Sequence, residues 1–120
     1  MFKGLRTVIY HVHNINQAKE WYSSILGVKP YFDEPYYVGF NIGGFELGLD
    51  PDIKTTKIGN NSVAYWGVDN IEMIFKRLID MGAKKNSEIQ DVGDSIKVAS
   101  VKDPYGNIIG LIENPHFKLG

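Results

Sequence analysis

Apolar residues along this chain recur with two periods. At three-and-four spacing they mark two stretches, Ile15, Ala18, Tyr22, Ile25 and Leu26 in the first and Ile71, Ile74, Phe75, Leu78 and Ile79 in the second. Each set forms the inward stripe of an amphipathic helix. Elsewhere the period is two: Tyr36, Val38, Phe40 and Ile42 interleave with Tyr37, Gly39 and Asn41, as on a strand with one buried face. Such runs predict strands over residues 7–12, 29–33, 36–42 and 45–50, and again over 63–68, 87–91, 95–101 and 107–113. Pro30 sends the second of these to a sheet edge or makes it a strand start. Turns are expected at Gly43-Gly44, Gly93-Asp94 and Asp103-Pro104-Tyr105-Gly106, and Asn114-Pro115 ends the structured part.

The order strand, helix, three strands therefore occurs twice, and landmarks inside the copies match. Asn14 caps the first helix with Gln17 at the third helical position, a capping-box arrangement, and Asp69 with Glu72 offers the same in the second. From Asn14 to Gly27 and from Asp69 to Gly82 is 13 residues in each case, so both helices are expected to close on a left-handed glycine. Gly44 to Leu49 and Gly106 to Leu111 share a G-x-x-x-G-L frame at an offset of 62. A duplicated unit follows. The expected fold is α+β, with two βαβββ modules in a single domain over residues 1–120: module one 5–50, a polar linker 51–61, and module two 62–115. The halves are expected to share a curved mixed sheet, and neither is expected to be stable alone.

Composition narrows the partners. Hydrophobic residues at 43% and charged residues at 22% are ordinary for a globular chain, and 13 basic against 14 acidic residues leave no Lys/Arg stripe for nucleic acid. The absence of cysteine removes disulfides, thiolate metal sites and a cysteine nucleophile. The N-terminus, Met1 to Arg6, lacks the apolar core of a signal peptide, and no apolar run approaches a membrane span, so the expected location is cytoplasmic.

Trp21-Tyr22 followed by Leu26-Gly27 after an Asn-capped helix, with Asp103-Pro104-Tyr105-Gly106-Asn107 leading the last strand, resembles the vicinal oxygen chelate superfamily. That group includes glyoxalase-type isomerases, bleomycin-resistance proteins and extradiol dioxygenases. The resemblance implies helices on the convex face of the sheet and a ligand cleft on the concave one. It also implies a divalent ion held by four side chains, from the first and last strand of each module. Those positions fall on Thr7, Gly48, Val63 (or Ser62 if the register slips by one) and Gly110. None supplies the imidazole or carboxylate such a site needs. No metal and no cofactor are therefore expected, and metal-dependent glyoxalase, epimerase, thiol-transferase and dioxygenase chemistry is disfavoured.

Two-residue alternation then names the cleft face. With Thr7 inward, so are Ile9 and His11; with Gly48 inward, so are Glu46 and Asp50; Tyr65 and Ile108 share the face in module two. The candidate ligand-binding residues are His11, Tyr37, Glu46, Asp50 and Tyr65, a set suited to a planar or aromatic organic molecule with a few polar anchors. Each has a structural explanation beside it: a hydrogen-bonded strand histidine, a solvated edge carboxylate at Glu46, a turn-initiating Asp50, and tyrosines that suit pleated strands. Trp21 is expected to pack or lie at an interface, and His13 and His116 to be surface residues.

The leading expectation is a metal-independent small-molecule binding protein of the glyoxalase/bleomycin-resistance type, acting as a homodimer. A nearly neutral chain argues against a cationic drug such as bleomycin itself. The alternative is a lyase or isomerase in which His11 works with Glu46 or Asp50, as acid and base or as a displaced metal site. A regulatory or assembly domain with an incidental cleft is the third possibility, and fold alone does not choose.

Overall fold

The computed structural model describes residues 3–54 and 62–118. Of the expected linker, residues 55–61 lie outside the described part. The elements run β1 (Thr7–His11), α1 (Ile15–Leu26), β2 (Phe32–Glu34), β3 (Tyr37–Ile42), β4 (Phe45–Asp50), β5 (Ala64–Gly67), α2 (Ile71–Asp80), β6 (Lys84–Asp91), β7 (Lys97–Lys102) and β8 (Ile108–Glu113). The chain divides into two units, residues 1–58 and 59–120, each one βαβββ module.

Each unit builds its own four-stranded mixed sheet, in the orders β1-β4-β3-β2 and β5-β8-β7-β6. The expected α+β class with two βαβββ modules is observed, with one mixed sheet in each module in place of a single shared one. The first strand of each module pairs in parallel with the last strand of the same module, and the remaining pairs are antiparallel. A helical crossover makes the parallel pair possible, because parallel neighbours need a connection longer than a hairpin. In the first unit Tyr10, Val12, Val38, Phe40, Leu47 and Leu49 are buried with Ala18 and Tyr22 of α1. The Tyr10 and Tyr22 rings stand 5.9 Å apart. In the second unit Ala99, Val101, Ile109 and Leu111 are buried with Ile71 and Leu78 of α2. Ile79, expected inward, is exposed, since it lies at the margin of the stripe that Ile71 and Leu78 define.

The helix caps explain where both helices begin. Asn14 (φ −137°, ψ 96°) accepts from the Gln17 amide at 3.0 Å, and Asn70 (φ −137°, ψ 94°) accepts from the Met73 amide at 3.1 Å. The second cap is thus Asn70 rather than Asp69, because only an Asn70 side chain reaches the third amide of this helix. The equal spacing read from the sequence fails with it: Asn70 to Gly82 is 12 residues against 13 from Asn14 to Gly27. Glu72 moves to the second helical position and pairs with Lys97 at 2.9 Å. Glu113 takes over part of the capping, accepting from the Ile71 amide at 3.0 Å. Both closing glycines do adopt positive φ, 72° at Gly27 and 104° at Gly82. The second is a full Schellman closure, with Gly82 N–H on Ile79 and Ala83 N–H on Leu78 at 3.1 and 2.9 Å.

Strand limits shift where turns intervene. The strand expected over 29–33 is Phe32–Glu34, three residues long, and its counterpart β6 has eight, with two register shifts along β7. The strand expected from Ser95 begins at Lys97, because Gly93, Asp94 and Ser95 all take positive φ in the turn. The turn before β8 is locked by Asp103, buried, whose carboxylate accepts from the Tyr105 and Asn107 amides at 2.9 and 2.7 Å and from Asn107 Nδ2 at 3.1 Å.

Three stability outcomes follow from this packing. Asp103→Ala strands two amides of the turn and should cost about 2 kcal/mol or more in urea unfolding. Gly110→Ala places a methyl 2.8 Å from the Ala64 carbonyl oxygen and 2.9 Å from Val63 Cγ1, so β5 must move; the expected loss is about 1–3 kcal/mol. Gly48→Ala meets only a side chain, the Tyr37 phenol, and should cost about 1 kcal/mol or less. Equal losses at the two glycines would show that β5 yields as readily as a tyrosine side chain.

Candidate functional site: a carboxylate held by three hydroxyls

On β4 the side chains of Leu47 and Leu49 enter the core, so Glu46, Gly48 and Asp50 face the side of the sheet opposite the helix. The register places Thr7 beside Glu46, Ile9 beside Gly48 and His11 beside Asp50 on β1, with Gly39 beside Gly48 on β3. Two facing glycines leave a floor without side chains at the middle of this surface. A Cβ at residue 48 would overlap the Tyr37 hydroxyl, and one at residue 39 would lie 2.9 Å from Glu46 Oε2 and 3.3 Å from the Tyr31 ring. The glycines are what let these three side chains meet.

They meet at Glu46. Its Oε1 accepts from Tyr37 Oη at 3.1 Å and from Thr7 Oγ1 at 3.1 Å, and its Oε2 accepts from Tyr31 Oη. The Tyr31 hydroxyl contributes most to holding the Glu46 carboxyl below its ordinary range; partial burial opposes it, and the Tyr37 and Thr7 hydroxyls add to it. Burial, then the bond to Glu46 and its charge, push the Tyr37 phenol up to about 12, with smaller contributions from Tyr31 and Asp50. Tyr31 is also raised, chiefly by its bond to Glu46. The carboxylate stays ionised and the phenols stay protonated through the neutral range. Phe32 extends the aromatic surface, its ring 6.2 Å from that of Tyr37 and 6.1 Å from that of Tyr36.

Of the residues expected to line a ligand site, Tyr37 and Glu46 are brought into contact. Tyr31 completes them, and the sequence reading missed it. That reading placed residues 29–33 in one strand, whereas Tyr31 precedes β2 and is fixed by its amide on the Gly39 carbonyl at 3.0 Å. An aromatic residue next to a short edge strand opposite a glycine was the available signal.

His11 and Asp50 are cross-strand neighbours but stand away from Glu46, four residues along β4, about 13 Å at the strand rise. Both are bound to the segment after β4. His11 Nδ1 donates to the Asp52 carbonyl at 2.8 Å, which fixes the proton on that nitrogen, and Asp50 Oδ1 accepts from the Asp52 amide at 2.8 Å. The displaced metal site of His11, Glu46 and Asp50 therefore does not assemble, and no group of three His, Cys, Asp or Glu among the described residues is placed to hold an ion. In the second unit Tyr65 pairs with Gly110, is 53% exposed, and has its ring 2.8 Å from where a Cβ of residue 110 would stand. Trp21 packs edge-on against Tyr22 at 4.9 Å, and His13 and His116 are exposed, as expected.

The four positions at which the resemblance places metal ligands carry Thr7, Gly48, Val63 and Gly110. Together they offer one hydroxyl, already donated to Glu46. The space above Gly48 is taken by the Tyr37 phenol and that above Gly110 by Val63 and Tyr65. These residues do not fit a divalent ion at that place.

Comparison with known proteins agrees with the fold. A glyoxalase-related enzyme from Fulvimarina pelagi superposes with a TM-score of 0.80 at 17% identity, over 99% of this chain and 94% of that one. A glyoxalase/bleomycin resistance protein from Albidiferax ferrireducens T118 gives 0.75 at 20% identity, over 92% and 98%. A lactoylglutathione lyase from Agrobacterium tumefaciens gives 0.75 at 14% identity, over 96% and 98%. No protein of curated function is similar enough in sequence to match. The sequence model of one family matches residues 4–111, nearly the whole chain: this protein belongs to the Glyoxalase/Bleomycin resistance protein/Dioxygenase superfamily.

Proposed function

We propose that this member of the superfamily is a metal-independent small-molecule binding protein, and that a planar or aromatic organic ligand lies on the first sheet against the Tyr31 and Tyr37 side chains that cover Gly39 and Gly48. The observation that carries the reading is the Tyr37 hydroxyl above Gly48, bonded to Glu46. Where the family's metalloenzymes project a carboxylate at an ion, this chain projects a phenol at a carboxylate. The glycines let Tyr31 and Tyr37 close over Glu46, the rings of Tyr31 and Phe32 supply contact area, and Glu46 supplies a fixed polar anchor. His11 and Asp50 at the far end of β1 and β4 are further contacts in this proposal, and Tyr65 is proposed as a ligand contact of the second unit taken by itself. A homodimer in the cytoplasm belongs to the same reading. Exposed apolar side chains, such as Ile9 on the edge strand β1 and Phe45 at the start of β4, support the pairing of chains.

The test is a thermal-shift screen of planar aromatic compounds followed by calorimetric titration of any hit. Binding should weaken in Gly39→Ala, whose methyl displaces Glu46 and Tyr31, and survive in His13→Ala. Failure of every aromatic compound to bind, or one divalent ion per chain by elemental analysis of protein prepared without chelators, would overturn the proposal. Light scattering that shows a monomer at micromolar concentration removes the dimer alone.

Titration provides a second check. By carbon NMR of ring-labelled tyrosine, Tyr37 should titrate near 12 and Tyr31 above 10.0, and both should fall in Glu46→Gln. The sign for stability follows. Tyr37, raised in the folded state, contributes fully below 10.0 and loses that contribution as the pH climbs through about 12. Glu46, lowered in the folded state, contributes above 4.5 and loses that as the pH falls through its folded value. Glu46→Gln should therefore flatten both limbs of the pH–stability curve; an unchanged curve would show that the hydroxyls do not hold the carboxylate in solution.

A further inference from the structure

The ligand's charge and donor pattern can be read from the atoms around Glu46. A carboxylate has about four acceptor positions, two on each oxygen. Thr7 and Tyr37 take both on Oε1, and Tyr31 takes one on Oε2. One position on Oε2 stays open. All three donors are neutral hydroxyls, so the carboxylate is hydrogen-bonded without being neutralised. Among the described residues no basic side chain pairs with Glu46, and none of the residues that alternation places on this face of β1, β2, β3 or β4 is Lys or Arg. Tyr31, 63% exposed, bonds this same oxygen, Oε2, through its hydroxyl.

We propose that the ligand is an arylalkylammonium, a monocation with an aromatic ring, that donates a single N–H to Glu46 Oε2 while its charge rests against the Tyr31 ring. This rests on the binding function proposed above and names the class of molecule that site takes. A forked amidinium or guanidinium is disfavoured, because it needs one open acceptor on each oxygen and Oε1 has none. An anion is repelled, and a neutral alcohol forms the hydrogen bond without the Coulomb attraction or the cation–π contact.

Four probes of similar size separate these cases by calorimetry at low ionic strength: 2-phenylethylammonium, 2-phenylethanol, 3-phenylpropionate and benzamidinium. The wild type should bind 2-phenylethylammonium at least about tenfold more tightly than the alcohol, and added salt should narrow the gap. Glu46→Gln should abolish the preference and leave the alcohol unchanged. Tyr37→Phe opens a position on Oε1, so benzamidinium should gain on 2-phenylethylammonium in that variant, an exchange that loss of folding would not produce. Equal binding of the ammonium and the alcohol, or tighter binding of the carboxylate or the amidinium by the wild type, overturns the ligand class and leaves the binding function standing. Absence of binding by all four at millimolar concentration, together with a blank aromatic screen, overturns both.

Discussion

The absence of two side chains organises the first sheet. Gly39 and Gly48 face each other across β3 and β4, and each would collide with a residue of the site if it carried a Cβ. Neither has the positive φ that commonly explains a glycine, so their reason is space rather than backbone freedom. That space lets Tyr31 reach in from ahead of the edge strand β2 and Tyr37 from β3, so that both hydroxyls reach the carboxylate on β4. The parallel pairing of β1 with β4 then sets Thr7 beside Glu46 and supplies the third donor.

The duplication makes the second unit an internal control. Taking Asn14 onto Asn70 and Gly48 onto Gly110, the cross-strand pair Thr7 and Glu46 corresponds to Val63 and Ile108, and Ile9 with Gly48 corresponds to Tyr65 with Gly110. One fold carries an ionised carboxylate in the first copy, where the second carries the apolar pair Val63 and Ile108. The position of Gly39 is held in the second copy by Ser100, which is buried and bonded to Ser87 at 2.7 Å and to Asn86 at 2.9 Å. The glycine of the last strand is kept in both, but it accommodates Tyr37 in one unit and the Val63 and Tyr65 side chains with the β5 backbone in the other. The two copies have therefore diverged on the face opposite the helix and kept the face that packs.

What the sequence made legible follows the range of the interactions concerned. The helix stripes apart from Ile79, the Asn14 cap, the closing glycines and the alternation on β3 and β4 depend on residues within a few positions of one another, and they read correctly. The Asp69 cap failed by one residue because Asp69 and Asn70 are both good caps, and the choice rests on which side chain meets the Met73 amide. The inward choice of Glu46 and Tyr37 was local alternation, whereas their contact, and the part of Tyr31, depend on the pairing of β2 with β3 and on a floor that two distant glycines create together. His11 shows the opposite limit. Alternation put it on the right face, but its partner is a backbone carbonyl of Asp52, and no sequence pattern marks a carbonyl as an acceptor.

Overall charge hides the character of the site. The chain holds 13 basic and 14 acidic residues, and several carboxylates are matched by ammonium groups at their side, as Glu72 is by Lys97 and Asp33 by Lys19. Such exposed pairs add little stability, yet they cancel the field of each carboxylate locally. Glu46 is held differently. Hydroxyl donors satisfy its lone pairs and hold its proton affinity down, but they carry no net charge, so the field of the carboxylate persists at the surface. At about 4 Å a unit charge is attracted by about 1 kcal/mol in water and by about 4 kcal/mol at the effective dielectric of a protein surface. A near-zero total is thus compatible with a strong local preference for a cation, because what a ligand meets is the arrangement of charges on one face of one sheet and not their sum over the chain.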